Sequence, residues 1–195
     1  MNSNIKSLDT QLQEFQQRRF MAMPLAGTLV WALLIFTGWL LPPNAAVMAS
    51  YIGTGSIVYI AMGMAKLTGE NFKFEKGANR NFFDTLFLAT VGMSFMVYAI
   101  AIPFFLTDYR SLPFTVAILT GLMWLPISVM MQNWIGVVHA VGRTLLCTAA
   151  WLLFPDLSFV LQPVIVVGMY GVSLMALQNR WQLMQKAPQA SAATA

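Results

Sequence analysis

The sequence predicts an all-α fold, a polytopic transmembrane helical bundle with six spans and with both termini in the cytoplasm. Three observations carry that prediction. Of the 195 residues, 58% are hydrophobic and 9% charged, whereas a soluble domain holds roughly 45–50% apolar and about 25% charged residues. The apolar residues fall into six runs, each near the ~20 residues a helix needs to cross a ~30 Å hydrocarbon core. The cationic residues gather on one side of those runs. A water-soluble fold of this size would leave much of this apolar surface in solvent; lipid is the medium that suits it.

Residues 1–19 read as a cytoplasmic amphipathic helix. Ile5, Leu8, Leu12 and Phe15 recur at helical spacing and lead to Arg18 and Arg19 at the membrane edge. A helix lying on the cytoplasmic surface is expected, with docking of a partner as the alternative. The first apolar run, 20–41, is too long for a signal-peptide core and has no small-residue cleavage site, so it is the first span. Pro42, Pro43 and Asn44 turn the chain into the second, 44–65. The polar loop from Lys66 to Asn81 precedes the third, 82–106. Thr107 to Ser111 lead into the fourth, 112–131, with Pro113 in its first turn. Gln132 and Asn133 precede the fifth, 134–154; Pro155 and Asp156 precede the sixth, 157–177. The membrane domain is thus 20–177, and 178–195 is a cytoplasmic tail, expected to be without structure after Lys186. Trp39, Tyr109, Trp134, Trp151, Phe154 and Trp181 lie near span ends, where rings anchor at headgroup depth.

Orientation follows from cation counting. Lys6, Arg18, Arg19, Lys66, Lys73, Lys76, Arg80, Arg180 and Lys186 fall on one side, and Arg110 alone on the other. Positive charge marks the cytoplasmic side, and an even number of spans agrees with two basic termini. Three spans followed by three leave room for an inverted repeat: Pro24 and Pro113 occupy similar places, as do Tyr51-Ile52-Gly53 and Trp134-Ile135-Gly136.

The fifth span carries the chemistry. His139, Arg143 and Cys147 recur every four residues and share one helix face. Arg143 lies nine residues past Trp134, about 14 Å along a helix rising 1.5 Å per residue, close to the midplane. A cation there costs at least ~2.5–3.5 kcal/mol, so Arg143 faces protein or water. No Asp or Glu lies deep in any span. Asp84, near the cytoplasmic end of the third, is nearest in depth, and is better placed for His139. The other candidate partners are hydroxyls (Thr90, Ser94, Thr120, Ser128), backbone carbonyls, water and a bound anion. Arg143, His139 and Asp84 are therefore the candidate substrate-binding residues, with Arg143 as anion ligand and the other two as proton couplers; an interhelical strut is the competing role for each.

Gly136, Ala140, Thr144 and Thr148 form a small-residue stripe on the same span, as do Ala61 and Ala65 on the second; such stripes let helices approach closely. Gly53, Thr54 and Gly55 are expected to serve plain helix packing in the second span, a loosened or broken helix being the alternative, and Pro103, Pro126 and Pro163 are placed to kink theirs. One cysteine and one histidine build neither a disulfide nor a metal site. No metal and no cofactor are expected, and no enzyme signature appears.

The chain resembles an uncharacterised bacterial family of small six-span integral membrane proteins. The likeness rests on Arg19 followed by Pro24-Leu25-Ala26-Gly27-Thr28-Leu29-Val30-Trp31, on Ala61-Met62-Gly63-Met64 closing the second span, and on Gly121-Leu122-Met123-Trp124-Leu125-Pro126 in the fourth. It covers about residues 18 to 180. It implies a bacterial plasma (inner) membrane, multi-pass, and supplies no catalytic residues. Two functions compete: a small transporter or channel for an anionic or polar solute, and a non-transporting accessory or structural subunit of a membrane complex. The expected partners are the lipid bilayer, a small anionic solute, and a second copy or another membrane protein; nucleic acid is not one, because the positive charge serves orientation.

Overall fold

The computed structural model describes residues 6–70 and 80–192, with side chains as far as Lys186. Six segments are long and apolar enough to cross a membrane: Ala22–Leu40, Pro43–Thr68, Phe82–Thr107, Ser111–Met131, Ile135–Leu153 and Pro155–Lys186. The helices are α1 (Leu8–Gln16), α2 (Ala22–Leu40), α3 (Pro43–Thr68), α4 (Phe82–Met96), α5 (Tyr98–Thr107), α6 (Ser111–Gly121), α7 (Trp124–Met131), α8 (Ile135–Leu153) and α9 (Ser158–Ala192). The third span is α4 with α5, and the fourth is α6 with α7. No strand occurs among the described residues.

Local chemistry sets the boundaries. Ser7 accepts the Thr10 N–H at 3.2 Å to cap α1, and Asn81 accepts that of Phe83 at 2.9 Å to cap α4. α3 ends on Gly69, whose φ of 72° suits a residue without a β-carbon. Pro126 has no N–H to offer the Leu122 carbonyl; Leu125 takes it instead at 3.1 Å, and the tighter turn divides α6 from α7. Pro163 likewise frees the Phe159 carbonyl, yet α9 runs on unbroken. That carbonyl faces Gly38 of α2, where a β-carbon would collide with it, so the two backbones meet directly.

α3 is continuous, with Gly53 lying against Val30 and Leu34 of α2, as plain helix packing requires. One expectation is corrected. The last helix does not stop with its apolar run at 177, nor does structure end at Lys186. Gln178 to Lys186 holds no glycine or proline to break it, and α9 extends to Ala192.

α2 packs between α3 and α9; α8 packs against α9, α6 and α7; α5 closes on α6, and α4 reaches α7. The first span thus lies against the second and sixth, and the fourth against the fifth and third, as an inverted repeat would place them. The likeness is incomplete. α8 and α9 pack together, whereas α3 and α4 make little or no direct contact, and the fourth span packs on the sixth without a matching contact between the first and third. α3 instead meets α5, where the Thr54 and Tyr98 hydroxyls lie 2.7 Å apart and the Tyr51 ring lies 5.9 and 5.8 Å from those of Tyr98 and Phe105.

Both ends of the chain share one face of the bundle. Arg180 donates to the Gln16 carbonyl, and Arg19 donates to the Thr68 carbonyl and the Gln178 side chain, each at 3.2 Å. Arg110 lies on the opposite face with Asp108 and Asp156. Of the residues counted for orientation, Lys73 and Lys76 lie outside the described residues, as does Ile5 of the amphipathic stripe. α1 packs against the end of the bundle, on α4 and α7. It turns Gln11 and Phe15 inward while Leu8 stays exposed, because polar groups of the bundle end reach it. Phe82 N–H donates to Gln11 Oε1 at 2.7 Å, and Asn81 Nδ2 donates to the Gln11 carbonyl at 2.8 Å. The Phe15 ring sits 4.8, 6.1 and 6.4 Å from those of Phe20, Phe83 and Phe87.

Candidate functional site

α8 is two-faced, as its four-residue spacing predicts. Gly136, His139, Ala140, Arg143 and Cys147 are buried on one side, while Val138, Val141, Leu145 and Leu152 are exposed on the other. Arg143 and His139 are both 0% exposed. Arg143 therefore faces protein, in the middle of its helix.

The guanidinium has no carboxylate partner among the described residues. Its Nη2 donates to Thr120 Oγ1 at 3.0 Å, and its Nη1 lies 3.4 Å from His139 Nε2. Two rings cover it, with its central carbon 5.4 Å from the centre of Trp31 and 5.7 Å from that of Tyr170. These cation–π contacts replace part of the lost hydration. Gly121 makes room: a β-carbon there would lie 3.0 Å from Arg143 Cδ. A guanidinium offers five N–H donors. Here Nε is buried with no hydrogen-bond partner, so donor capacity at mid-membrane is unused.

The hydrogen bonds fix the histidine tautomer. Ser173 Oγ donates to the Met169 carbonyl at 2.9 Å, which commits its proton. Its contact with His139 Nδ1 at 2.8 Å must then be donated by the imidazole. Nε2 is left as an acceptor, pointing at Arg143. The polar chain runs from Arg143 through His139 and Ser173 to the backbone of α9. The imidazole also stacks on Trp124 at 4.3 Å and 20°. Both its nitrogens are engaged.

Asp84 is not part of this cluster. Its oxygens take Arg18 Nη1 and Nη2 at 2.5 and 3.1 Å, at the face bearing the termini. The expected pairing of Asp84 with His139 or Arg143 is therefore corrected. Arg18, a cation at the membrane edge, reaches the first turn of α4 before any mid-depth residue can. Of the four hydroxyls proposed for Arg143, Thr120 is the one used; Thr90 and Ser94 bond to backbone carbonyls of their own helix, and Ser128 to that of Asn133. Cys147 is buried, and its carbonyl accepts Gln162 Nε2 at 3.0 Å. Trp31, Gly121, Trp124, Tyr170 and Ser173 were not identified as site residues. Three of them, Trp31, Gly121 and Trp124, do lie in the stretches that carried the family resemblance.

A cavity of about 80 Å³ abuts the cluster. It runs from Met23 and Glu70, near the face bearing the termini, to Thr120, Trp124 and Tyr170. Glu70 is committed elsewhere: its Oε1 accepts the N–H groups of Met21 and Ala22 at 2.7 and 2.8 Å, capping the start of the first span.

No curated protein and no solved structure matches the chain. The sequence model of a family of unknown function, DUF7010, matches residues 8–180, which takes in α1, the first five spans, most of the sixth and the whole of the Arg143 cluster. The chain belongs to the DUF7010 family.

Proposed function

We propose that this protein is a small multi-pass carrier for an anionic or polar solute, seated in a bacterial inner membrane with both termini cytoplasmic. One observation supports this above others. Arg143, buried at mid-depth and, among the described residues, without a counter-ion and with an unpartnered Nε, stands behind one end of a cavity that leads toward the basic face. A guanidinium with free donors is a ready ligand for a carboxylate or phosphate. Thr120 and Tyr170, which touch both Arg143 and the cavity, are the intermediaries. His139 is a positioning residue here, holding Arg143 through its acceptor nitrogen. Asp84 serves the attachment of α1.

A second reading has its own support. Trp31, Tyr170, His139 and Thr120 enclose Arg143 completely, as they would a strut in a non-transporting accessory subunit. Flux of labelled carboxylates and phosphates into proteoliposomes, native chain against Arg143→Gln, separates the two. The carrier shows flux that Arg143→Gln abolishes while remaining folded. No flux for either chain, with a stoichiometric second protein co-purifying in mild detergent, supports the accessory role.

A further inference from the structure

Part of the cavity wall comes from two helices that make little or no direct contact with each other. α3 contributes Gly55, Ile57 and Val58, and α4 contributes Phe87 and Phe95. A β-carbon on Gly55 would meet nothing within 4 Å, so the wall is open there. Farther from the face bearing the termini, the Thr54–Tyr98 and Tyr51–Phe105 contacts close α3 onto α5. The opening is therefore lateral, and it lies between two candidate spans, where the surrounding medium is acyl chain. It also falls at one of the places where the two halves of the chain differ, α8 and α9 being packed and α3 and α4 scarcely touching.

The lining sorts by chemistry. Its sides are mainly phenylalanine, methionine and branched aliphatic groups, and its wall includes Thr120 and Tyr170, the two lining residues that contact Arg143. Glu70, at the other end, disfavours a second anion there. Size narrows the class further. An apolar cavity of ~150 Å³ takes one benzene ring; the ~80 Å³ here encloses a head group or a few chain carbons, and the remainder of a ligand must lie in the gap. From these observations we infer that the cavity takes a single-chain carboxylic amphiphile from the bilayer, carboxylate toward Arg143 and alkyl chain out between α3 and α4. This rests on the carrier reading and specifies its substrate class and route.

Trp124 lines the cavity and is buried, which makes it a reporter. The full-length protein in detergent is titrated with a fatty acid brominated along its chain, and tryptophan fluorescence is followed. Saturable quenching is expected, and the saturable part is expected to vanish in the Trp124→Phe, Trp31→Phe double variant. Gly55→Leu, whose β-carbon meets nothing within 4 Å, is expected to raise the half-quenching concentration at least tenfold, and so is Arg143→Gln. Quenching that is unchanged in the Trp124→Phe, Trp31→Phe double variant reports annular contact with the more exposed tryptophans and overturns the inference. An unchanged midpoint in Gly55→Leu overturns the lateral route, and an unchanged midpoint in Arg143→Gln overturns the placing of the carboxylate. The outcomes stay distinct from those of the carrier test. Saturable binding without flux contradicts transport alone, whereas flux of a water-soluble anion without quenching contradicts this inference alone.

Discussion

Arg143 and His139 meet at 3.4 Å, one turn apart on α8, with the imidazole accepting from the guanidinium. That polarity depends on Ser173, which takes the Nδ1 proton. Ser173→Ala leaves Nδ1–H buried without an acceptor, a loss of about 1–3 kcal/mol. Thermal unfolding in detergent is expected to record it. Ser173→Ala and His139→Gln are expected to be non-additive in a double-mutant cycle, since they break one chain of hydrogen bonds. Additive losses would mean that the two side chains act separately.

Glycines divide into two classes by what a methyl group would meet. At Gly136 it would strike the Trp124 carbonyl, and at Gly38 the Phe159 carbonyl; backbone cannot step aside cheaply. Gly136→Ala and Gly38→Ala are expected to destabilise by about 1–3 kcal/mol. At Gly63 a methyl group meets nothing within 4 Å. Gly63→Ala is expected to be neutral or to stabilise by up to about 1 kcal/mol through helix propensity. Thermal shifts of the three variants, measured side by side, check the ordering.

Arg18 holds α1 to the bundle through Asp84, with the carboxylate nearly buried and the guanidinium about one-third exposed. Asp84→Asn is expected to cost about 1–3 kcal/mol, as for hydrogen bonds to a charged group, and to free α1 before the spans unfold. Limited proteolysis near Arg18 and Arg19 reads this out: cleavage is faster in Asp84→Asn, and restored resistance in the Arg18→Asp, Asp84→Arg double variant identifies the pair as the cause.

On the opposite face, hydrogen bonds from Arg110 hold the Asp108 carboxyl below its ordinary range and push the guanidinium up further. A lowered carboxylate pKa contributes stability above its unfolded value of about 3.9, and the contribution is lost as pH falls through the folded value. The melting-temperature difference between the native chain and Asp108→Asn is thus expected to be constant from pH 8 to 5 and to shrink below about pH 4. A difference that shrank between pH 8 and 6 would place its origin elsewhere.

The six spans were legible because run length and the distribution of Lys and Arg are properties of the chain read linearly. The inward face of α8 was legible from the spacing of His139, Arg143 and Cys147. The division of the fourth span was foreseeable from Pro126, but that of the third was not: the carbonyl opposed to Pro103 is that of Ala99, beyond the break at Val97. Thr120 was one of four hydroxyls that residue type allowed, and only packing could select it. Trp31 and Tyr170 were hidden for a different reason, because an aromatic residue within an apolar run has the same composition whether it fills a core or covers a cation. Asp84 was misassigned because depth was considered for the spans alone, while Arg18 approached from outside them.

The central claim is that Arg143 is kept as a buried, incompletely bonded cation because a ligand needs it. The most direct test is the thermal stability of Arg143→Met in the same detergent without ligand. Replacing an uncompensated buried charge by a side chain of similar length is expected to be neutral or to raise stability. A loss of about 3 kcal/mol or more, at the top of the range for leaving a buried polar partner such as His139 Nε2 unsatisfied, would contradict the claim and make Arg143 a strut.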